Sequence, residues 1–244
     1  MARAPISVVD QDPDLVEDLD PERAAAARRE LRAEAVDVPV GAWEPTGLAE
    51  EVRGGLGLLV LDGVLVRRLG TQRRSGAELL GPGDLLRPWD GDPPSSTLPL
   101  TASWRMLEPT RLALLDGRFM RRASPYPEIA SCLLGRSVSR SRHLLAHLAI
   151  AHHPRVDERL LMALWCLADR WGRVTPDGIL LPLRLTHELL ADLIAVQRPS
   201  VTLSLQQLER QGHLTREDGR MVLLGQSPAE LDDAGEGTST LLAS

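Results

Sequence analysis

The chain has 244 residues, of which 43% are hydrophobic and 25% charged. That is the composition of a globular protein, not of a disordered or fibrous one. The formal net charge of −6 argues at first against a nucleic-acid partner, and no apolar run reaches the roughly 18 residues a membrane span needs.

Met1 to Pro21 carries acids and no apolar core of the signal-peptide kind. Cys132 and Cys166 are the only two cysteines. They exclude a disulfide scaffold and any four-thiolate site, and they fit a cytoplasmic chain with reduced thiols. With aromatics at 3%, the core has to be built from Leu, Val, Ile and Ala. The charge is unevenly placed. Residues 1–37 hold 5 Arg against 10 acids, residues 225–244 hold 4 acids and no Arg, and the stretch between holds 23 Arg against 20 acids. The acidic ends set the total, and the middle is mildly basic.

In chain order, residues 1–35 read as an acidic extension. Its first 19 residues are expected to be poorly ordered. A short helix is expected over Arg23 to Glu34, started by Asp20-Pro21-Glu22 with an N-cap, a proline in the first turn and an acid at the positive dipole end. From 36 to 125 glycine and proline recur between short apolar runs. Gly57 to Leu61, Asp62-Gly63 and Val64 to Arg67 predict a hairpin with a type I′ turn. Leu79-Leu80, Gly81 to Asp84 and Leu85-Leu86 predict a strand and tight turn, Arg111 to Leu115 another strand, and residues 90–99 a loop. Short strands at this spacing point to a small β-barrel or sandwich.

Residues 126–153 read as one long helix. Leu134, Val138, Ser141, Leu145, Leu148 and His152 are spaced 4, 3, 4, 3, 4, an a/d seam. Such a seam either packs once against its own domain or pairs with a second copy. Leu133, Leu144 and Ile150 supply a separate apolar face for internal packing, which favours a homodimer. Pro154 breaks the helix, and helical periodicity resumes from Val156 to Trp171. Thr175-Pro176-Asp177-Gly178 predicts a turn, and Ile179 to Leu185 a strand.

Residues 154–225 are the informative segment. Thr186 can cap a short helix over Glu188 to Ile194, and Ala195-Val196 breaks it. Arg198-Pro199-Ser200 opens a second helix to about Gln211, with Gln197 at its N-cap and Val201, Leu205 and Leu208 on its buried face. Asp218-Gly219 then turns a hairpin between His213 to Arg216 and Arg220 to Leu224. Helix, turn, helix and hairpin make a winged helix-turn-helix, a form that also serves in protein-interaction modules. The second helix fits a DNA major groove with its N-terminal residues at base edges. Arg198 is the candidate for a bidentate guanine contact. Gln197, Ser200 and Thr202 are assigned to phosphate or minor base contacts. Arg216 and Arg220 on the wing would meet phosphate, and Thr186 and Ser204 complete the candidate DNA-binding set. Residues 226–244 read as a disordered acidic tail.

The run Leu185 to Val201, continuing through Leu208-Glu-Arg-Gln-Gly212 to the wing, resembles the Crp/Fnr family of bacterial transcription regulators. Leu61-Asp-Gly-Val-Leu65 and Leu80-Gly-Pro-Gly-Asp-Leu-Leu86 resemble that family's cyclic-nucleotide-binding-like β-roll. The resemblance implies an α+β fold: an N-terminal double-stranded β-helix, a long dimerisation helix and a C-terminal winged helix-turn-helix. It also implies a homodimer that binds a two-fold DNA site and contacts RNA polymerase.

The departures from the family bear on the effector. Cyclic-AMP binders carry Gly-Glu and then an Arg-Ser or Arg-Thr pair in the β-roll. Here Gly83-Asp84 is followed by Leu85-Leu86-Arg87-Pro88-Trp89. Where those binders place hydroxyls on the long helix, this chain has Leu144 and Leu145. Control by cyclic AMP is therefore not expected, and two scattered cysteines exclude an iron–sulfur cluster. Ala195 stands at the turn position usually held by Gly. Pro199 and Leu203 stand where some members carry base-reading Glu and Arg, so base readout is expected to rest on fewer residues.

Arg87, Trp89, Trp104 and Arg105, with Arg73-Arg74 nearby, are candidates for an anionic effector pocket. Solvated arginines and core tryptophans are the alternative. A sensor that requires a small ligand of unidentified chemistry thus stands beside the constitutive binder. His143 and His147 are spaced i, i+4 but lack a third ligand, so no metal or cofactor is expected. No phosphate loop, catalytic triad or paired-carboxylate motif points to an enzyme.

Overall fold

The computed structural model describes residues 3–45, 47–71, 74–88 and 101–227. The chain divides into two units, Met1–Leu145 and Ala146–Ser244. The loop expected at 90–99 and nearly all of the expected tail lie outside the described residues.

The first unit is built on two antiparallel sheets. One has five strands in the order β1 (Arg3–Ser7), β2 (Arg32–Val38), β9 (Thr110–Leu115), β4 (Gly57–Asp62), β7 (Leu85–Leu86). The other has four, in the order β3 (Gly41–Trp43), β8 (Thr101–Met106), β5 (Leu65–Thr71), β6 (Arg74–Leu80). Val36, Leu58, Val60 and Leu112 from the first sheet share a core with Trp43, Leu65, Leu80, Trp104 and Met106 from the second. The opposite face of the five-stranded sheet is also covered. Leu59, Ala113 and Leu115 pack there with Val8, Val9, Leu15, Phe119, Ile129 and Leu133. Burial on both faces explains why Gly57 to Leu61 is an unbroken apolar run rather than an alternating one.

The hairpin expected around Asp62-Gly63 does not form. β4 pairs with β7 and β9, whereas β5 pairs with β6 and β8. Asp62-Gly63 is instead a corner at which the chain leaves one sheet for the other. Gly63 has φ +87°, and a Cβ there would lie 2.4 Å from the Pro109 carbonyl oxygen, so glycine is required by close approach. The tight turn at Gly81 to Asp84 is present. The buried Asp84 carboxylate accepts from Gly81 N at 2.8 Å, while Val60 and the turn exchange two backbone bonds of 2.9 Å. The strands it joins again belong to different sheets.

The N-terminal segment is ordered, contrary to expectation. β1 pairs with β2, and a short helix α1 (Val8–Gln11) and a 3-10 turn (Pro13–Val16) follow it. Val8, Val9, Leu15, Val16 and Leu19 are buried, and that burial offsets the ordering entropy that proline and acids alone would not. Helix α2 (Pro21–Glu30) starts as read, with the Asp20 carboxylate accepting from Glu22 N at 3.1 Å and Arg23 N at 2.9 Å. It stops earlier than Glu34, because Arg32 onward is taken into β2 between β1 and β9. The expected boundary at 35/36 therefore falls inside a strand.

Helix α3 (Gly117–Ala123) is capped by Asp116, and the long helix α4 runs Pro127–Ala151. Arg136 on α4 pairs with Asp12, one bond measuring 2.9 Å. Arg140 grips the Glu78 carboxylate at 2.6 and 2.7 Å and donates to Leu85 O at 3.2 Å.

The second unit carries α5 (Val156–Trp171), α6 (His187–Leu193) and α7 (Arg198–Arg210) with a sheet in the order β10 (Arg173–Thr175), β11 (Gly178–Leu181), β13 (Arg220–Leu223), β12 (Leu214–Glu217). Leu160, Leu164, Leu189, Leu190, Val201, Leu205, Leu208 and Met221 to Leu223 form its buried interior. Thr175 to Gly178 turns β10 into β11 as read. Among the described residues no helix is long and apolar enough to cross a membrane.

Candidate nucleic-acid interface

The interface is set by α6, α7 and the β12–β13 wing. Thr186 caps α6, its hydroxyl accepting from Leu189 N at 3.1 Å. The helix ends at Ile194, and Ala195 takes φ +55°. Val196 N then donates back to Ala191 O at 3.0 Å. That bond is the long-range one of a Schellman motif, in which the left-handed residue is usually glycine. Arg159 on α5 donates to Ile194 O at 3.1 Å and to His153 O at 3.1 Å, fixing the exit of α6 from below. Nothing in the sequence pattern marked Arg159, since both acceptors are backbone carbonyls.

Gln197 is the N-cap of α7 by backbone conformation, without a side-chain cap bond. Arg198 is exposed at the first helical position, and Ser200, two residues on in the same turn, is half-buried. The Thr202 hydroxyl lies 2.9 Å from His187 Nδ1 and 3.3 Å from the Arg198 carbonyl oxygen. A hydroxyl has one proton; given to the carbonyl, it leaves Oγ1 to accept from Nδ1–H. Burial, then Arg216 and Arg198, hold the His187 imidazole below the ordinary histidine value.

Ser204 does not belong with these residues. It is only 7% exposed. At about 100° per residue it lies only about 60° from Val201, on the flank of the face packed inside the unit. The residue that does stand out is Leu203, 67% exposed.

On the wing, Asp218 (φ +48°) and Gly219 (φ +75°) make the two-residue turn with both φ positive that a type I′ hairpin requires. Arg220 is exposed beside it. Arg216 is also exposed but pairs with Glu209 of α7 at 2.6 Å. That pair joins helix to wing and was not legible from either residue alone.

The seam residues of α4 lie as spaced. Leu134 and Leu145 are 65% and 67% exposed, and Val138, Ser141, Leu148 and His152 are exposed with them. Leu133 and Ile150 are buried, but Leu144 is exposed, so the inner face is narrower than the sequence indicated. Arg136 and Arg140 share the side of Leu133, about 140° around the helix from the seam.

The effector-pocket set is not brought together. Trp104 is buried between the sheets, edge-on to Trp43 with ring centroids 6.1 Å apart, and Arg67 lies 5.9 Å from its ring. Arg105 follows it on β8 and therefore points to the opposite face, exposed. Arg87 donates to Gly55 O at 3.2 Å. Trp89 and Arg73 lie outside the described residues. Strand alternation separates Trp104 from Arg105, which is why adjacent residues cannot line one cavity. His143 is exposed and His147 half-buried, and among the described residues no group of three or more His, Cys, Asp or Glu is placed to hold a metal ion.

Residues 158–232 match the family profile of the Crp-like helix-turn-helix domain. No curated protein matches the chain. Among solved structures, a cyclic nucleotide-binding domain containing protein from Listeria monocytogenes is similar at 18% identity and TM-score 0.63, over 77% of this chain and 87% of that one. A CRP-family transcriptional regulator from Thermus thermophilus is similar at 21% identity and TM-score 0.58, over 82% and 96%. FixK2 from Bradyrhizobium japonicum is similar at 17% identity and TM-score 0.58, over 82% and 96%. The matched segment belongs to the Crp-like helix-turn-helix domains, and the chain carries the Crp/Fnr fold that its sequence resembles.

Proposed function

We propose that this protein is a homodimeric transcription regulator that binds a two-fold symmetric DNA site in the cytoplasm, engages RNA polymerase there, and needs no cyclic AMP. The observation that carries the reading is the exposed first turn of α7, with Arg198 at its head and the Arg220 wing beside it, on a Crp-like helix-turn-helix. A helix held this way by α6 presents its N-terminal side chains to base edges, and the wing presents charge to phosphate. The homodimer rests on the exposed leucine seam of α4, which is costly to leave in water and has coiled-coil spacing. Two recognition helices would then meet successive major grooves about 34 Å apart.

Independence from cyclic AMP rests on Arg136 and Arg140. Both reach the Gly83 to Leu85 turn, where the resemblance places ribose and phosphate contacts, and both already hold carboxylates of this chain. The segment between Gly83 and the next strand supplies no Arg-Ser or Arg-Thr pair for a phosphate.

The test is selection of bound sites from random duplex DNA by the purified protein without added ligand. A two-fold motif is expected, and Arg198→Ala relaxes it at one position per half-site. Leu145→Glu converts the dimer to a monomer by light scattering and weakens binding at least tenfold. A motif recovered only in cell extract replaces this reading with an obligate-effector sensor. No motif under either condition, with the seam still pairing, replaces it with a protein-interaction module.

A further inference from the structure

We infer that the acidic segment Glu230-Leu231-Asp232-Asp233 of this chain docks on the exposed face of α7 and competes with DNA for it. The inference rests on the DNA-binding reading above and deepens it, by giving the same site a regulator. Beside α7 lies an open groove of about 290 Å³, lined by Val156 and Asp157 of α5 and by Leu203, Gln206 and Arg210 of α7. Leu203 is 67% exposed there, an apolar side chain that the fold of the unit leaves in water. Arg210 is exposed at the same groove, and its guanidinium donates to two neutral groups, Gln207 Oε1 at 2.6 Å and Gln206 O at 3.4 Å. Asp157 is the acid on the rim, and Arg155 already holds it at 2.7 Å. The first turn of α5 adds its positive dipole end, since the N-cap residue Arg155 makes no side-chain cap bond. Such a groove suits an apolar side chain flanked by anions.

The chain carries such a segment within reach. Residues 225–244 hold four acids and no arginine, and Leu231 stands between Glu230 and Asp232. The fold fixes the point of departure. Leu224 N donates to His213 O at 2.9 Å and His213 N to Leu208 O at 3.0 Å, so the chain leaves the sheet beside the last turn of α7, where Arg210 stands. Glu230 follows Leu224 by six residues, a span of up to about 20 Å. From Arg210 back to Leu203 is seven residues of helix, about 10.5 Å. A tethered segment meets its groove at an effective concentration on the order of millimolar, so weak contacts suffice. Helix α7 cannot lie under the segment and in a major groove at once. Occupancy of about nine-tenths lowers the apparent DNA affinity about tenfold.

The experiment measures the affinity of the full chain for a random-sequence duplex by fluorescence anisotropy at about 50 mM salt, where phosphate contacts are strong. Glu230→Gln combined with Asp232→Asn and Asp233→Asn is expected to bind about tenfold more tightly than wild type. Leu231→Ser leaves every charge in place and is expected to bind at least about threefold more tightly. Both ratios should shrink as added salt screens the acids from Arg210. Without DNA, amide NMR of the full chain should show the Leu203, Gln206 and Arg210 resonances moving between wild type and Leu231→Ser. They should stay in place in Leu241→Ser, which changes a leucine outside the segment.

Tighter binding on neutralising the acids, with none from Leu231→Ser and no movement of the α7 resonances, overturns the docking, since charge would then act at long range alone. Unchanged affinity in both variants overturns the inference and leaves the DNA-binding reading standing. Failure of every form to bind duplex, with the α7 resonances still moving, overturns the DNA-binding reading and the competition with it, and leaves the docked segment.

Discussion

Ala195→Gly tests the turn that sets α6 against α7. Ala195 is exposed and sits at φ +55°, where an L-residue other than glycine costs about 1–2 kcal/mol through the clash of its Cβ with the following carbonyl. Glycine removes that clash but loses more backbone entropy on folding, about 0.4–1 kcal/mol. The difference favours the variant by about 0.5–1 kcal/mol. Nothing offsets it, because the methyl is exposed and the Val196 N to Ala191 O bond uses backbone only. For a domain of roughly 100 residues this raises Tm by about 3–6 °C. Differential scanning calorimetry of the full chain reads it as an upward shift of the transition belonging to the second unit. DNA affinity should hold, since the backbone path into α7 is already the one glycine prefers. Asp218→Gly is the control: aspartate tolerates the left-handed region, so its gain should be less than half as large. An unchanged or lower Tm for Ala195→Gly, with the control also neutral, would falsify the strain argument.

Glu78→Ala removes the carboxylate that two half-buried guanidinium groups, Arg140 and Arg67, share. Urea titration should show the first unit less stable by about 2 kcal/mol, below the full cost of a deeply buried pair because Arg140 keeps some contact with water and the Leu85 carbonyl. Adding Arg140→Met should recover part of the loss, the share of Arg67 remaining. The lowered His187 value predicts a pH dependence. Its imidazole binds a proton more readily unfolded, near the ordinary 6.5, than folded, so its contribution is complete above pH 6.5 and is lost as pH falls from there through the lower folded value. Histidine NMR of the full chain should show the His187 resonance titrating below the ordinary histidine value, and that resonance should be absent in His187→Gln.

What could be read beforehand divides by the range of the interactions that decide it. Thr186, the Thr175 to Gly178 turn and the Asp218-Gly219 wing were legible because cap and turn chemistry are settled within four residues. Asp62-Gly63 carries the same dipeptide as the wing, and it delivered the positive φ but not the hairpin. The choice between hairpin and corner is made by β9 and the Pro109 carbonyl, nearly fifty residues on. The N-terminus was misread for a related reason. Its acids looked like those of a solvated tail, yet Asp12 is held by Arg136 across 124 residues. Ser204 is buried for a local reason, since its angle on the helix places it about 60° from Val201. Leu203 was read only as the absence of a charged reader, because composition reports residue types and not exposure.

The same distinction governs the electrostatics of DNA binding. Residues 146–227 hold nine arginines and nine acids, so no net charge draws this unit to a polyanion. Affinity has to come from where single charges stand. Arg220 is exposed on the wing, opposite Glu217 in the β12–β13 register, whereas Arg216 is paired with Glu209 at 2.6 Å. Each phosphate neutralised adds about −0.9 to the slope of log K against log salt. Arg220→Ala, acting twice in a dimer, should therefore flatten that slope by about 2 and weaken binding to all sequences alike. Glu209→Gln should do the reverse, steepening the slope and raising affinity by releasing Arg216 to phosphate. Fluorescence anisotropy across 50–300 mM salt measures both. If Arg220→Ala left the slope unchanged while lowering affinity, the wing would be acting by packing and not by charge. If Glu209→Gln weakened binding, the Arg216 pair would be holding the wing in place, not withholding a cation from the DNA.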